Sequence, residues 1–435
     1  MAEIRAFRAL QYDRERVPLE KVVTQPYDKI TAQMRERYLA AHSNNLVRVL
    51  RPLDQPGPSP SPLSPYERAA ETLKAWRRDG LIREIEQPAL FAYYQRFRSP
   101  ETGATLTRKG FIGLLRLEDY ANGVVFPHER TLSGPREDRL ELLRHTRTHF
   151  GLVFLMYSDS GARVDSILDR AIETGTPATV RDEYDVDHLL WRISAPETTT
   201  AIRREMSGHR LLIADGHHRY ETALAFRDEQ RRVSGPGDGA GFEWIMAAFV
   251  NMESPAVTLL PTHRVVSNLT DFDPRLLVER AARFFDILDV GGPGALVPEL
   301  RARRGASTPA LGLVLPGGRT ALLALRGGTD LRAHLPDLSP PQEALAVVLL
   351  HRLVLERCLG LTEDDIRSER HVRYVRDAHE AMSDVQGGRA QACFLLNPTP
   401  LGQVRDLAFS GEVLPQKSTD FYPKLLSGLV MYPVS

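Results

Sequence analysis

Arg210-Leu211-Leu212-Ile213-Ala214-Asp215-Gly216-His217-His218-Arg219-Tyr220-Glu221-Thr222-Ala223-Leu224-Ala225-Phe226 is the stretch on which the fold turns. Leu211 to Ala214 is an apolar run short enough for a buried strand. Asp215-Gly216 is a turn, and Tyr220, Ala223, Leu224 and Arg227 then fall at i, i+3, i+4 and i+7, the spacing of one helix face. A strand running into a helix N-terminus leaves backbone N–H groups and a positive dipole end, which together favour an anion. Gly216 allows close backbone approach, and the planar fork of Arg219 suits phosphate or carboxylate. The plainer alternative is that Asp215 caps the helix and both histidines are solvated. Adjacent helix residues do not share a face, so at most one of His217 and His218 points with Arg219. A metal pair on a helix would use i, i+4 spacing, which this pair does not have.

Working outward, the 435 residues suffice for two or three domains with sizeable cores. The 56 basic residues balance the 56 acidic ones, so no overall field draws the chain to nucleic acid or to a membrane. The two cysteines, Cys358 and Cys393, lie in apolar runs and read as reduced core thiols. Met1 to Leu10 has no apolar signal core, and no apolar run could span a bilayer. A soluble, cytoplasmic protein is expected. Only six basic residues are lysines: Lys21, Lys29, Lys74, Lys109, Lys417 and Lys424. In so arginine-rich a chain, a surviving lysine suggests that a compact ammonium is wanted, and two fall in one short C-terminal segment.

Along the chain, Gln25-Pro26-Tyr27-Asp28-Lys29 reads as a turn, 31–41 as a helix and Leu46 to Arg51 as a strand. Residues 52–65, rich in proline and serine, read as a loop insertion. Ser64-Pro65-Tyr66-Glu67 is a capping box opening a helix that Gly80 stops. Leu90 to Arg96 and Phe111 to Leu117 read as paired strands about a turn at 99–103. Pro135 suits the first turn of a helix reaching about His149. A strand is expected at Leu152 to Tyr157, a helix at 162–175, a strand at His188 to Ile193 and a helix at 197–206. Further strands are expected at 244–250, 311–315, 320–325, 371–375 and 392–396, and helices near 273–288 and 341–358. Polar clusters lie at His128-Glu129-Arg130-Thr131 and Thr262-His263-Arg264. No phosphate-binding P-loop, protein-kinase set, Gly-x-Ser-x-Gly elbow or Cys-x-x-Cys pair is present.

Several clusters in this order resemble the bacterial and archaeal domain-of-unknown-function family ten-fifteen. They are Pro26-Tyr27-Asp28, Arg51-Pro52, His128-Glu129-Arg130-Thr131 with Asp138-Arg139-Leu140, Asp215 to Ala223, Leu260 to Arg264, and Pro415-Gln416-Lys417-Ser418-Thr419 through Lys424. Gln416 and Asp420 depart from the pattern. The Asp-Gly-His-His-Arg core is also similar to the nucleotide-binding turn of the ParB/sulfiredoxin-like superfamily, most closely to its free-serine kinases.

The irregular mixture of strands and helices, without strict β-α alternation, reads as an α+β fold, and the resemblance implies a ParB/sulfiredoxin-like mixed core enlarged by N- and C-terminal regions. The expected regions are 1–118, 119–270 carrying the motif, and 271–435 with a tail returning to the cleft. It implies a small-molecule kinase moving a phosphoryl group from ATP, ADP or pyrophosphate to a free amino-acid hydroxyl, with L-serine giving O-phosphoserine. Gly216 and Arg219 would hold phosphates, His217 or His218 would donate to a phosphate oxygen or stabilise the leaving oxygen, and Asp215 would hold Mg2+ directly or through water. Glu129 would accept the hydroxyl proton, with Asp28 in reserve. Arg51, Arg130, Thr131, Arg139, His263, Arg264, Lys417, Ser418 and Thr419 would line the phosphate or amino-acid pocket. A nucleotide and an amino acid are the expected partners, with a homodimer as one option. Two other readings compete: a nucleotide-binding regulatory protein of the same superfamily, and a metal-dependent hydrolase using the histidines. The absence of cysteine in the motif argues against sulfiredoxin chemistry.

Overall fold

The computed structural model describes residues 1–52, 63–129, 133–235, 237, 239–306 and 308–434, with the side chains of 133–135 outside the description. Most of the expected 52–65 insertion, Arg130, Thr131 and the side chain of Pro135 therefore lie outside the described residues. The chain divides into two compact units. The first comprises Met1–Pro127, Thr131–Thr258 and Pro423–Ser435, and the second His128–Arg130 and Leu259–Tyr422.

The first unit is built on a ten-stranded mixed sheet. Its main order is Ala178–Arg181, Asp187–Ile193, Leu90–Arg98, Gly110–Arg116, Trp244–Asn251, Val153–Tyr157, Leu211–Asp215 and Val125–Phe126. Val153–Tyr157 runs parallel to Trp244–Asn251 and antiparallel to Leu211–Asp215. Both central strands are buried along their whole length, as their apolar composition up to the terminal Asn251 suits. On one face Leu90, Ala92, Leu155 and Ile213 join a core with Val164, Leu168, Ile202, Met206, Tyr220 and Ala223 from three helices, Arg163–Ile172, Pro196–Met206 and His217–Ser234. An α+β chain with a mixed core was expected, and the structure combines helices with a large mixed sheet.

The expected pairing of Leu90 to Arg96 with Phe111 to Leu117 is present, with Phe91 opposite Ile112. An additional strand, Thr105–Arg108, closes the hairpin on Leu90–Arg98. Four elements among the described residues differ from expectation. The helix expected to reach about His149 ends at Thr146, and Thr148–His149 is a short strand. Leu46 to Arg51 contains a helix, Val47–Leu50, not a strand. Val47, Val49 and Leu50 are buried and Arg48 is exposed, an alternation that fits a strand as well as one helical turn, and the Asn45 Oδ1 accepting the Val47 N–H at 2.9 Å starts the turn. The helix expected over 273–288 stops at Ala281, and Phe285–Asp289 is a strand. The long helix expected over 341–358 is interrupted: Pro340–Glu343 stands apart, and Ala346–Leu349 runs into a π-helix over Leu350–Cys358.

The second unit carries a six-stranded antiparallel sheet in the order Phe285–Asp289, Arg319–Leu325, Ala310–Leu315, Ala392–Leu395, His263–Val266 and Val372–Val375. Leu296 and Leu300 from one helix and Ala381, Met382 and Val385 from another close its core. No helix among the described residues is long and apolar enough to cross a membrane.

Candidate functional site

In the first unit the motif strand ends at Asp215, and a register shift between Ile213 and Asp215 sets Asp215 opposite Phe154. A bulge of this kind re-aims the side chain beyond it. Gly216 follows at φ 94°, a conformation natural to glycine, and no side chain caps the helix that begins at His217. A Cβ on Gly216 would meet Cζ and Nε of Arg219 at 3.1 Å. The guanidinium therefore lies close over the glycine, where a larger residue would displace it. Arg219 donates through Nη2 to Asp215 Oδ1 at 2.8 Å and through Nη1 to the Leu152 carbonyl. His217 is buried and His218 half-buried in the same helical turn.

The other oxygen of Asp215 accepts from Lys424 Nζ at 2.6 Å. Burial alone would raise the Asp215 pKa. Lys424, then Arg219, then Lys29 overcome it and hold the carboxyl far below the usual carboxylate range. Cations outnumber the carboxylate they surround, so the neighbourhood favours an incoming anion. In the sequence Lys424 stands out as one of six lysines and as the end of the C-terminal cluster that resembles the family. Its role as the second cation on Asp215 could not be read from spacing, because 209 residues separate the two.

Around this centre, Arg139 lies over the Tyr27 ring, 4.5 Å from its centroid, and donates to the Leu50 carbonyl at 2.7 Å. Arg51 donates to the Tyr27 carbonyl at 3.2 Å. Burial and the nearby Asp28 carboxylate push the Tyr27 hydroxyl up to about 12, so it remains protonated at neutral pH. Asp28 itself is exposed. Tyr27, Arg139, Phe150, Arg219, Thr222 and Ser427 are among the residues that line one pocket of this unit.

The second unit gathers another set of the expected residues. Glu129 Oε1 accepts from the Ser418 and Thr419 backbone N–H groups at 3.1 and 3.2 Å, and from the Thr419 hydroxyl at 3.3 Å. His128 Nε2 lies 2.7 Å from the same hydroxyl. Lys417 takes a left-handed backbone, φ 58°, which turns the two N–H groups toward one point. Buried Arg264 donates to the Lys417 carbonyl at 3.1 Å and lies 3.3 Å from Nε2 of His351, a residue that no sequence motif singles out. Burial lowers the His263 pKa to about 4, and its Nδ1 accepts the Leu396 N–H at 3.2 Å. His263 is thus a neutral imidazole that contributes no positive charge.

The Mg2+ expected on Asp215 finds a poor donor set. Both carboxylate oxygens already serve cations, and among the described residues no group of three His, Cys, Asp or Glu side chains converges in a way that could hold a metal. The described residues form no all-protein cage for a divalent ion, and a Mg2+ near Asp215 would take most of its oxygens from water and phosphate.

Among solved structures, the chain is similar to a free serine kinase in complex with AMP, at 16% identity and a TM-score of 0.35 over 71% of this chain and 86% of that one. It is also similar to a conserved hypothetical protein from Pyrococcus furiosus, at 15% identity and a TM-score of 0.34 over 71% and 89%. A third likeness is to SbnI with C-terminal truncation from Staphylococcus aureus, at 9% identity and a TM-score of 0.33 over 72% and 85%. Values this low establish neither substrate nor reaction. No curated protein matches significantly. The family described as "Protein of unknown function (DUF1015)" matches residues 4–366, most of the sequence, and the chain belongs to that family.

Proposed function

We propose that the first unit binds the phosphates of a nucleotide or of pyrophosphate at Arg219, Lys424 and the Gly216–Arg219 turn, and that the protein is a small-molecule phosphotransferase. The observation that carries this reading is the Arg219–Asp215–Lys424 cluster at the start of a helix without a side-chain cap. Asp215 holds a fork and a point charge in fixed places before any ligand arrives, which is preorganisation for an anion. Phosphoryl transfer needs little more from a protein than positioning and charge neutralisation.

The proposed acceptor is a free amino-acid hydroxyl, with L-serine the first candidate by the wording of the Asp-Gly-His-His-Arg motif. The acceptor oxygen bonds to phosphorus, the phosphorus–oxygen bond to the donor breaks, and the hydroxyl proton passes to a carboxylate, for which Glu129 is proposed. The ParB/sulfiredoxin-like label for the motif-bearing core rests on the same wording.

Phosphorus NMR on the purified protein with Mg2+, L-serine and ATP, ADP or pyrophosphate in turn tests the reading. A phosphomonoester signal co-migrating with O-phosphoserine, absent in Arg219→Ala, is the expected result and names the donor. Unchanged donor in every tube would reject serine phosphorylation.

A further inference from the structure

On the sheet face opposite the helices, a buried strand carries a glutamine where an apolar residue is the norm. Gln95 is 2% exposed, and its strand neighbours at alternate positions are Phe91, Tyr93 and Phe97. A buried amide needs partners for both its donor and its acceptor. Gln95 Nε2 donates to the Lys424 carbonyl at 2.8 Å, and its Oε1 accepts from Arg108 Nε at 3.1 Å. Arg108, 1% exposed, also donates to the carbonyl of Pro423 and lies over the Phe154 ring at 4.7 Å. Phe154 is the residue that stands opposite Asp215 in the sheet. Two residues past Lys424, the Leu426 N–H donates to the Tyr93 hydroxyl at 3.3 Å, and that hydroxyl lies 2.6 Å from His188 Nδ1. The backbone on both sides of Lys424 is therefore clamped by buried side chains from the sheet beneath it.

We infer that Gln95 and Arg108, with Tyr93, are positioning residues that aim the Lys424 ammonium at Asp215 and so set the anion affinity of the site. Without such clamps a lysine loses much rotamer and backbone freedom on reaching a fixed point, and the cost falls on binding. Arg108 and Gln95 form a reciprocal pair. The arginine fixes which end of the amide faces the C-terminal strap, Pro423 to Leu426, and the amide then donates to the carbonyl of Lys424.

The inference rests on the anion site proposed above, and a double-mutant cycle separates the two. ADP and pyrophosphate affinities are measured by calorimetry at one fixed salt concentration for the wild-type chain, Gln95→Glu, Lys424→Met and the double variant. Gln95→Glu keeps an acceptor for Arg108 and removes the donor to the Lys424 carbonyl. Lys424→Met is expected to weaken binding roughly tenfold or more, the worth of one charge-assisted contact. Gln95→Glu is expected to weaken it several-fold in the wild-type background and to change nothing in the Lys424→Met background, because its effect passes through Lys424. An equal loss in both backgrounds, or no loss in either, overturns the inference while leaving the anion site intact. If Lys424→Met binds as tightly as wild type, the site reading itself fails and this one falls with it. Should Gln95→Glu not fold, as judged by circular dichroism, Tyr93→Phe enters the same cycle with the same expected outcomes.

Discussion

Lys424 closes the site from the far end of the chain: its Nζ lies 2.6 Å from Asp215 Oδ2, while Arg219, four residues after Asp215, takes the other oxygen. One cation is local and comes with the helix. The other arrives with the C-terminal strap. Lys424→Met leaves a largely buried carboxylate with one partner in place of two. A loss of about 1–3 kcal/mol in urea unfolding is expected, the usual penalty for stranding one side of a charged hydrogen bond. An unchanged unfolding midpoint would mean that solvent replaces the ammonium at no cost.

The acid behaviour of the cluster has a defined window. The Asp215 pKa is depressed in the folded protein, so its contribution to stability is present above the unfolded value of about 3.9 and is lost as pH falls toward the folded one. Asp215→Asn should therefore be less stable than wild type by a constant margin from pH 8 to pH 5. The margin should shrink only below about pH 4. Urea midpoints across that range check it, and a margin that already closes between pH 7 and pH 5 would show that Asp215 is not held by its two cations.

What the sequence disclosed about this site was local. The strand, the Gly216 turn and the helix were legible because an apolar run, a glycine and a 3.6-residue period sit side by side and require no knowledge of the rest of the chain. Lys424 was legible as an oddity and not as a partner, since nothing in residue order says which carboxylate an ammonium 209 positions away will meet. Gln95 and Arg108 gave no signal at all. A glutamine in a run of aromatic residues is ordinary until the strap that covers it is known. The Val47–Leu50 helix was hidden for a related reason: Val47, Val49 and Leu50 are buried and Arg48 is exposed, and four positions are too few to separate a strand alternation from one helical turn.

Half-buried His149 and buried His263 predict a second, milder pH window. Burial lowers His149 to about 4, and His263 likewise to about 4. A folded pKa below the unfolded value of about 6.5 means that the unfolded chain takes up protons first. The stability these residues hold is thus lost as pH falls from about 6.5 toward 4. Histidine ring NMR should show both imidazoles neutral at pH 5.5 in the folded protein. A His263 signal titrating near 6.5 would restore it as a candidate cationic ligand.

Glu129 offers the sharpest test of chemistry against architecture. One oxygen of its carboxylate holds the Ser418 and Thr419 N–H groups and the Thr419 hydroxyl, so the residue has a structural reason to exist whether or not it takes a proton. Glu129→Gln preserves an oxygen acceptor for that turn and removes the basic carboxylate. Nucleotide affinity and the melting temperature are expected to stay near wild type, while turnover falls by about 10²–10⁴-fold, the typical worth of a positioned base. Glu129→Ala, which strands both N–H groups, is expected to lower the melting temperature as well. Turnover that survives in Glu129→Gln and fails only in Glu129→Ala would assign the residue to holding the Lys417–Thr419 turn and would move the search for the base to Asp28.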